Sequence, residues 1–336
     1  MENTSFVSVD WGTSNFRLRL VSIPSLAILD SVSSATGGSK ALFDQWEKEG
    51  GDREAIFLDF LAGRLAELKH RPPQNAVVVI SGMASSAIGM RELPYAELPF
   101  NTDGSGIGST LIPAGKHLAH DIILISGIRS DIDVMRGEET QLIGCAGDDR
   151  IDPAPQVFIF PGTHSKHIFT EDRQVINFKT YLTGEVFNLL TQQSILKASV
   201  EAGKDIYSPE SLAAFRLGVT TAVRTSLLNS LFGVRTNNLF DKLNKQENFN
   251  FLSGLLIGSE LKDLLGVNVS KINLAGGSGL SEYYKAALET LGLAENTRFL
   301  SPEWIDESVI RGQFKIWKTY AAKPGFPATQ KADLPK

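Results

Sequence analysis

Ser8-Val9-Asp10-Trp11-Gly12-Thr13-Ser14-Asn15-Phe16-Arg17-Leu18-Arg19-Leu20 is the stretch around which the rest of the chain reads. An alternating segment, Ser5 to Asp10, predicts a strand running into Gly12-Thr13-Ser14-Asn15. A second alternating strand, Phe16 to Ser22, returns from that turn. Phe16, Leu18 and Leu20 share one face, and Arg17 and Arg19 point the other way. A glycine beside small hydroxyl residues leaves backbone N–H groups and the Thr13 and Ser14 hydroxyls uncovered, a concavity suited to phosphate oxygens. Asp10, at the strand end, is placed to hold a hydrated metal ion beside them. The same residues also suit a plain tight hairpin in which Gly and Asn supply positive φ. The turn alone does not decide.

The pattern occurs again. Val157 to Phe160 predicts a strand, Pro161-Gly162-Thr163-His164-Ser165-Lys166 a small-residue turn, and His167 to Thr170 a returning strand. A polar turn at 171–173 leads to a third strand, Val175 to Lys179, as Leu26 to Ser33 supplies a third strand after the first hairpin. Strand, Gly-Thr turn, strand, turn, strand therefore appears twice, about 150 residues apart. The polar, proline-interrupted run Asp149 to Pro155 is the candidate domain boundary between them. The expectation is a duplicated architecture with two phosphate-gripping hairpins facing across a cleft.

The remaining elements fit an α/β chain. A helix is predicted over Asp52 to Lys69 with Asp52 as N-cap. The apolar run Val77 to Ile80 reads as a buried strand opening into Ser81-Gly82-Met83-Ala84-Ser85-Ser86. Ligands sit at such carboxyl ends of strands, and an ordinary strand-to-helix turn has the same composition. After a strand at Asp121 to Ser126 comes MRGEETQLIGCAG, Met135 to Gly147, where Arg136, Glu138 and Glu139 precede a short helix. Paired carboxylates there suit the helix dipole as well as chemistry. The second half predicts helices from Thr183, as cap, to about Lys197, from Ser208-Pro209 to about Phe232, and over Gln246 to Leu265. Strand Ile272 to Ala275 ends in Gly276-Gly277-Ser278-Gly279 before a helix from Ser281 to Leu291, and such glycines let a nucleotide approach the backbone closely. A last amphipathic segment, Glu303 to Tyr320, is expected to pack back on the first domain. Its start, Pro302 to Ser308, carries no run of small residues.

At 336 residues the chain has room for two domains. A net charge of −5 with no basic stripe argues against a nucleic-acid partner. Cys145 is the single cysteine, which excludes a disulfide framework and a thiolate metal site. The N-terminus shows no charged-then-apolar signal and no apolar run reaches membrane length, so no membrane association and a cytoplasmic location are expected. Oligomeric state is not legible, and a homodimer is compatible with the chain. His164 and His167 fall on a turn and a strand, not on one helical face, and no zinc pattern is present. The G-x-S-x-G elbow of a serine hydrolase and the P-loop are both absent.

The order DWGTSN, RGEETQ, PGTHSK, LAGGSG resembles the actin, hexokinase and sugar-kinase superfamily with its duplicated ribonuclease H-like domains. More narrowly, Met135–Gly144 (MRGEETQLIG), Phe160–Ile168 (FPGTHSKHI), Thr183–Glu185 (TGE), Phe251–Glu260 (FLSGLLIGSE) and Leu274–Leu280 (LAGGSGL) resemble the 2-dehydro-3-deoxygalactonokinase family. The resemblance runs from about Phe6 to Leu291. It implies two ribonuclease H-like (actin-like ATPase) domains, 1–148 and 156–300, with mixed sheets, flanking helices and an interdomain cleft, then a C-terminal helix over 303–322 and a tail over 323–336.

The activity it implies is ATP-dependent phosphorylation of the terminal O6 hydroxyl of 2-dehydro-3-deoxy-D-galactonate, a small sugar acid. Asp10 would position Mg²⁺, while Gly12, Thr13, Ser14 and Asn15 cradle phosphates from the first domain. Gly162, Thr163, His164 and Lys166 would do so from the second, and Gly276, Gly277 and Ser278 would approach the adenosine. Glu138 takes the place of the superfamily's carboxylate base, with Glu139 as the other candidate. Arg136 suits the substrate carboxylate because its planar fork binds bidentately, and it equally suits an ion pair with Glu138 or Glu139. Gly82, Met83 and Ser85 are the remaining substrate-side candidates. Two other readings share the ATP site: a kinase for another small sugar or sugar acid, and an actin-like nucleotide switch, which RGEETQ disfavours. A sugar-sensing repressor is disfavoured because no helix-turn-helix precedes the first strand.

Overall fold

The computed structural model describes residues 5–146, 152–203, 206–277 and 279–323. They form two compact units, one of residues 5–146, 152, 173–177 and 303–323 and the other of 153–172, 178–203, 206–277 and 279–302.

The first unit begins with strands β1 (Ser5–Trp11), β2 (Phe16–Ser22) and β3 (Ile28–Ser34) as an antiparallel meander. Helices α1 (Ser39–Glu49) and α2 (Arg53–Ala66) follow, then β4 (Val78–Gly82), β5 (Ala96–Glu97), β6 (Phe100–Asn101), β7 (Ser109–Ile112), β8 (Ile122–Ile125), β9 (Ile128–Arg129), β10 (Val134–Met135) and α3 (Glu138–Cys145). The sheet order is β3-β2-β1-β4-β8-β7, with β4 and β8 parallel to β1. β10, β9 and β5 make a small separate sheet.

The second unit repeats the plan. β11 (Gln156–Phe160), β12 (Ser165–Glu171) and β13 (Gln174–Tyr181), the last with its residues 174–177 grouped in the first unit, form the meander. Next come α4 (Thr183–Gln193), α5 (Pro209–Arg224), α6 (Leu227–Leu239), α7 (Lys245–Leu261), β14 (Lys271–Leu274), α8 (Leu280–Thr290) and β15 (Thr297–Phe299). Its order, β13-β12-β11-β14-β15, again places parallel strands beside the first strand of the meander. A meander extended by parallel strands, present twice, is the ribonuclease H-like plan of actin-like ATPases.

Alternation set the first hairpin. Phe16, Leu18 and Leu20 are buried while Arg17 is exposed. Trp11 and Phe16 meet edge to face at 4.9 Å, and Phe57 and Phe60 of α2 close against Trp11. Each fully buried aromatic contributes about 2–3 kcal/mol, so the turn between β1 and β2 rests on a rigid floor. Helix α2 starts where Asp52 accepts from the N–H groups of Glu54 and Ala55.

Helix α1 has no counterpart in the sequence reading. Only Ser39 and Leu42 of it are buried, too few for an apolar stripe. Its N-terminus is what matters: the N–H groups of Ser39 and Lys40 donate to the carbonyls of Gly12 and Thr13. The long helix predicted from Ser208 to Phe232 is two. α5 ends at Arg224, and Ser226 accepts from the Asn229 N–H to cap α6 on a new axis. Thr183 is not a cap: the N-cap position is Leu182, and the threonine hydroxyl turns instead to Glu260.

The last helix, α9 (Pro302–Ala321), belongs to the first unit. Gln313 donates from its amide to the Val9 carbonyl and the Ser81 hydroxyl, at 2.8 and 2.9 Å. Two glycines permit its close crossing with α3, Gly312 one turn beyond Ser308 and Gly144 on α3 itself: a Cβ on Gly312 would stand 1.9 Å from the Thr140 carbonyl oxygen, and one on Gly144 1.6 Å from that of Ser308. No helix among the described residues is long and apolar enough to cross a membrane.

Candidate active site

In the first unit a cavity of about 210 Å³ sits at the carboxyl ends of the parallel strands β1 and β4. Asp10 and Gly12 enter it from β1 and its turn, Arg17 from β2, and Gly82 and Met83 from the end of β4. Arg136, Gly137, Glu138 and Gln141 come from the start of α3, and Ile305, Asp306 and Val309 from α9.

Asp10 keeps 31% of its side-chain surface accessible and lies 3.9 Å from Arg17. Crowding by protein pushes its carboxyl above the ordinary aspartate range; Arg17 and Arg19 pull it back, while Glu138 and Asp306 add to the rise. Nearby carboxylates thus share a recess with an arginine, an arrangement that attracts a cation or a proton.

Helix α3 distributes its paired glutamates to different places. Gly137, at φ 113°, turns the chain into the helix, a conformation that favours glycine. The Arg136 N–H donates to Glu138 Oε2 at 3.2 Å, and Glu138 faces the cavity. Glu139 is fully buried. Its oxygens accept from the Gly137 N–H at 2.7 Å and the Thr140 hydroxyl at 3.0 Å. Burial, with the Glu138 charge added, pushes the Glu139 carboxyl up to about 7.

Arg136 makes no ion pair with either glutamate among the described contacts. Its Nη1 donates to the carbonyl and hydroxyl of Ser85, its guanidinium lies 4.3 Å from the Tyr95 ring centroid, and its buried Nε has no hydrogen-bond partner. Ser85 itself is fully buried, its hydroxyl donating to the Ile125 carbonyl at 2.6 Å. It does not line the cavity and acts on Arg136 instead.

Thr13, Ser14 and Asn15 are exposed at the tip of the first hairpin, closed by the Gly12 N–H to the Asn15 carbonyl at 2.8 Å. Helix α1 backs this turn so closely that a Cβ on Gly38 would lie 2.3 Å from the Thr13 carbonyl oxygen. The second hairpin is backed in the same way. The Glu185 N–H of α4 donates to the Thr163 carbonyl, and a Cβ on Gly184 would lie 2.6 Å from the Gly162 carbonyl oxygen. His164, exposed at that tip, pairs with the Glu185 carboxylate at 2.5 Å. A glycine-opened helix N-terminus behind each Gly-Thr turn is a second mark of the duplication, and short segments far apart in sequence gave no signal for it.

Lys166 is 5% exposed and lies on the face of β12 opposite Ser165 and His167, not at the hairpin tip. An apolar cavity of about 240 Å³ adjoins the second turn, lined by Gly162, Thr183 and Gly184, by Phe187 and Phe249, and by Ser253, Leu256, Ile257, Leu280, Tyr283 and Tyr284. Gly276 and Gly277 lead into α8, which supplies three of those residues, but are not themselves in the wall; Ser278 lies outside the described residues. Sequence reasoning missed Arg17, Gln141 and Asp306 as wall residues and gave Glu185 and Glu260 no role. The TGE and GSE segments were the signal available for the last two.

Comparison with known proteins gives the family. The model of the family described as 2-keto-3-deoxy-galactonokinase matches residues 10–311. A Rhizobium meliloti (strain 1021) protein named "Probable 2-dehydro-3-deoxygalactonokinase DgoK1" is 34% identical over 86% of this chain and 90% of its own. The 2-dehydro-3-deoxygalactonokinase of Escherichia coli (strain K12) is 30% identical over 85% of this chain and 90% of its own. A structure described as "Crystal structure of a putative 2-dehydro-3-deoxygalactonokinase protein from Sinorhizobium meliloti" superposes with a TM-score of 0.78 at 30% identity, over 95% of this chain and 100% of that one. With RGEETQ building one cavity and PGTHSK the edge of the other, the chain belongs to the 2-keto-3-deoxy-galactonokinase family.

Proposed function

We propose that this protein transfers the γ-phosphoryl group of ATP to the terminal O6 hydroxyl of 2-dehydro-3-deoxy-D-galactonate, releasing ADP and the 6-phosphate. The observation that carries the reading is the convergence of Asp10, Arg136 and Glu138 on one cavity at the strand ends of the first unit. Phosphoryl transfer needs alignment, charge neutralisation and a group to take the hydroxyl proton, and these three side chains divide that work.

Glu138, facing the cavity, accepts the proton from the attacking hydroxyl. Glu139, buried and tied to Gly137 and Thr140, holds the start of α3 in place. Arg136 receives the substrate carboxylate on the edge of its guanidinium not occupied by Ser85, and its unpartnered Nε supports that role. Gly82 and Met83 shape the wall beside it. The exposed turn Gly12–Asn15 and the turn Gly162–His164 each offer backbone N–H groups to phosphate oxygens. The apolar cavity beside Gly162 suits an adenine, with Gly276 and Gly277 along the approach.

A divalent ion fits this donor set. No cluster of three or more carboxylate, histidine or cysteine ligands exists among the described residues. Magnesium is ordinarily held by one or two carboxylates together with substrate phosphates and water. Asp10 is the residue that would hold it, and the ion would neutralise charge on the phosphates.

The test is ADP release by the purified protein with Mg-ATP, offering 2-dehydro-3-deoxygalactonate beside its gluconate epimer, galactonate and simple hexoses. Release that strongly favours the galactonate-derived keto acid, and that ends when EDTA removes the metal, is expected. Preference for a different sugar would overturn the substrate, and ATP binding without any sugar-dependent release would overturn the kinase reading.

A further inference from the structure

Behind the second turn lies a buried carboxylate that the reaction does not use. Glu260, near the end of α7, is 2% exposed. Its Oε1 accepts from the Ser165 hydroxyl at 2.7 Å and from His167 Nε2 at 2.9 Å. Its Oε2 accepts from the Tyr284 hydroxyl at 2.7 Å and from the Thr183 hydroxyl. Burial alone would raise its pKa. The His167 hydrogen bond and charge, with the Ser165 and Thr183 hydroxyls, outweigh that and hold it below the ordinary glutamate range. A carboxylate met by donors at both oxygens stays ionised in the interior.

The donors come from the elements that frame the phosphate turn. Ser165 and His167 begin β12, directly after Gly162-Thr163-His164. Thr183 opens α4, the helix whose Gly184 and Glu185 back that turn. Tyr284 stands on α8, after the glycine-rich loop. Thr183 and Tyr284 also form part of the adjoining cavity wall. The His167 ring is fixed from a second side by Tyr181, 4.6 Å away, whose hydroxyl donates to Asp263 at 2.8 Å. His167 Nδ1, on the other side of the ring, is buried without a hydrogen-bond partner.

Charge makes this placement informative. A buried anion near a turn meant for phosphates disfavours them electrostatically, so its benefit must be geometric. We propose that Glu260 is a positioning residue for the nucleotide: its carboxylate locks the return of the hairpin, the first residue of α4 and Tyr284 into one unit, fixing the Gly162–His164 turn to receive phosphate. The proposal rests on the reading of that turn as a phosphate site and goes beyond it by naming what holds the turn rigid. The two possible influences of Glu260 have opposite signs, which separates them by experiment.

The experiment measures the affinity of the full chain for fluorescent mant-ADP with Mg²⁺, together with the urea midpoint, in wild type, Glu260→Gln and Thr183→Val. Both variants are expected to bind mant-ADP about tenfold more weakly, the equivalent of one lost charge-assisted hydrogen bond. The KM for the sugar acid should stay within about twofold, because the other cavity is untouched. Unchanged nucleotide affinity in the folded variants, or tighter binding by Glu260→Gln as removal of a repelling charge would give, overturns the proposal. If Glu260→Gln does not fold, Thr183→Val decides by the same criterion. Wild type that binds mant-ADP but phosphorylates no sugar acid overturns the substrate reading alone, and the nucleotide affinities still judge Glu260. Wild type that binds no nucleotide overturns both.

Discussion

Arg136 donates from one nitrogen, Nη1, to both the backbone carbonyl and the hydroxyl of Ser85, at 2.7 and 2.6 Å. Ser85 thereby fixes one edge of the guanidinium while Tyr95 supports its face. A lysine would keep the charge and lose both the fork and the stacking. Arg136→Lys is therefore expected to raise KM for the sugar acid by about a hundredfold, with KM for ATP little changed. Steady-state kinetics with each substrate varied in turn checks this, and equal effects on both KM values would contradict it.

Glu138 and Glu139 are adjacent in sequence and divided by burial. Glu138→Gln is expected to lower kcat by about 10²–10⁴-fold, the usual contribution of a general base, with KM values near those of wild type. Glu139→Gln should leave kcat within about tenfold, because its side chain is enclosed by protein. Single-turnover rates at saturating ATP compare the two directly.

The same burial gives Glu139 a signature in stability. In the unfolded chain its carboxyl ionises near 4.5, and in the fold near 7. Between those values the folded state keeps a proton that the unfolded state has released. Stability therefore falls as pH rises across this interval and is level above it. At 1.36 kcal/mol per pH unit the penalty above the interval is about 3 kcal/mol. Glu139→Gln is thus expected to be more stable than wild type at about pH 8, by at most about 3 kcal/mol, and nearly equal to it at about pH 4.5. Urea midpoints at the two pH values measure the difference, and a gap that does not shrink on acidification rules out the charge as its source.

Gly312 and Gly144 let α9 and α3 touch backbone to backbone. A Gly312→Ala methyl would stand 1.9 Å from the Thr140 carbonyl oxygen, so the helices must part. A loss of about 3 kcal/mol in unfolding free energy is expected, the upper part of the overpacking range. A matched change at Gly63, where an added Cβ meets nothing within 4 Å, should be near neutral or stabilising.

The meanders were legible because period-two alternation leaves no other arrangement for Phe16, Leu18 and Leu20 against Arg17. The duplication was legible because GTSN and PGTH stand at the same place in both meanders. What escaped was whatever depends on contacts between distant segments. Helix α1 buries too little to leave a stripe, and its purpose lies in the carbonyls of Gly12 and Thr13. Ser85 carries the composition of a ligand loop, yet only the fold shows its hydroxyl spent on Arg136 and Ile125. The difference between Glu138 and Glu139 is one of direction, which adjacency in sequence cannot express. Thr183 has the letters of a cap, and Glu260, 77 positions away, claims its hydroxyl.

Helix α9 has a consequence for how the protein is made. Phe6, in β1, is covered by Phe314 and Trp317, with ring centroids 5.8 and 5.7 Å away, and the Val9 carbonyl waits for Gln313. Every residue of the second unit leaves the ribosome before α9 does. Nascent domains ordinarily mature from the N-terminus onward. Here the order of completion is reversed: the later-born unit is fully synthesised while the earlier one still lacks, at its central strand, the cover that α9 brings.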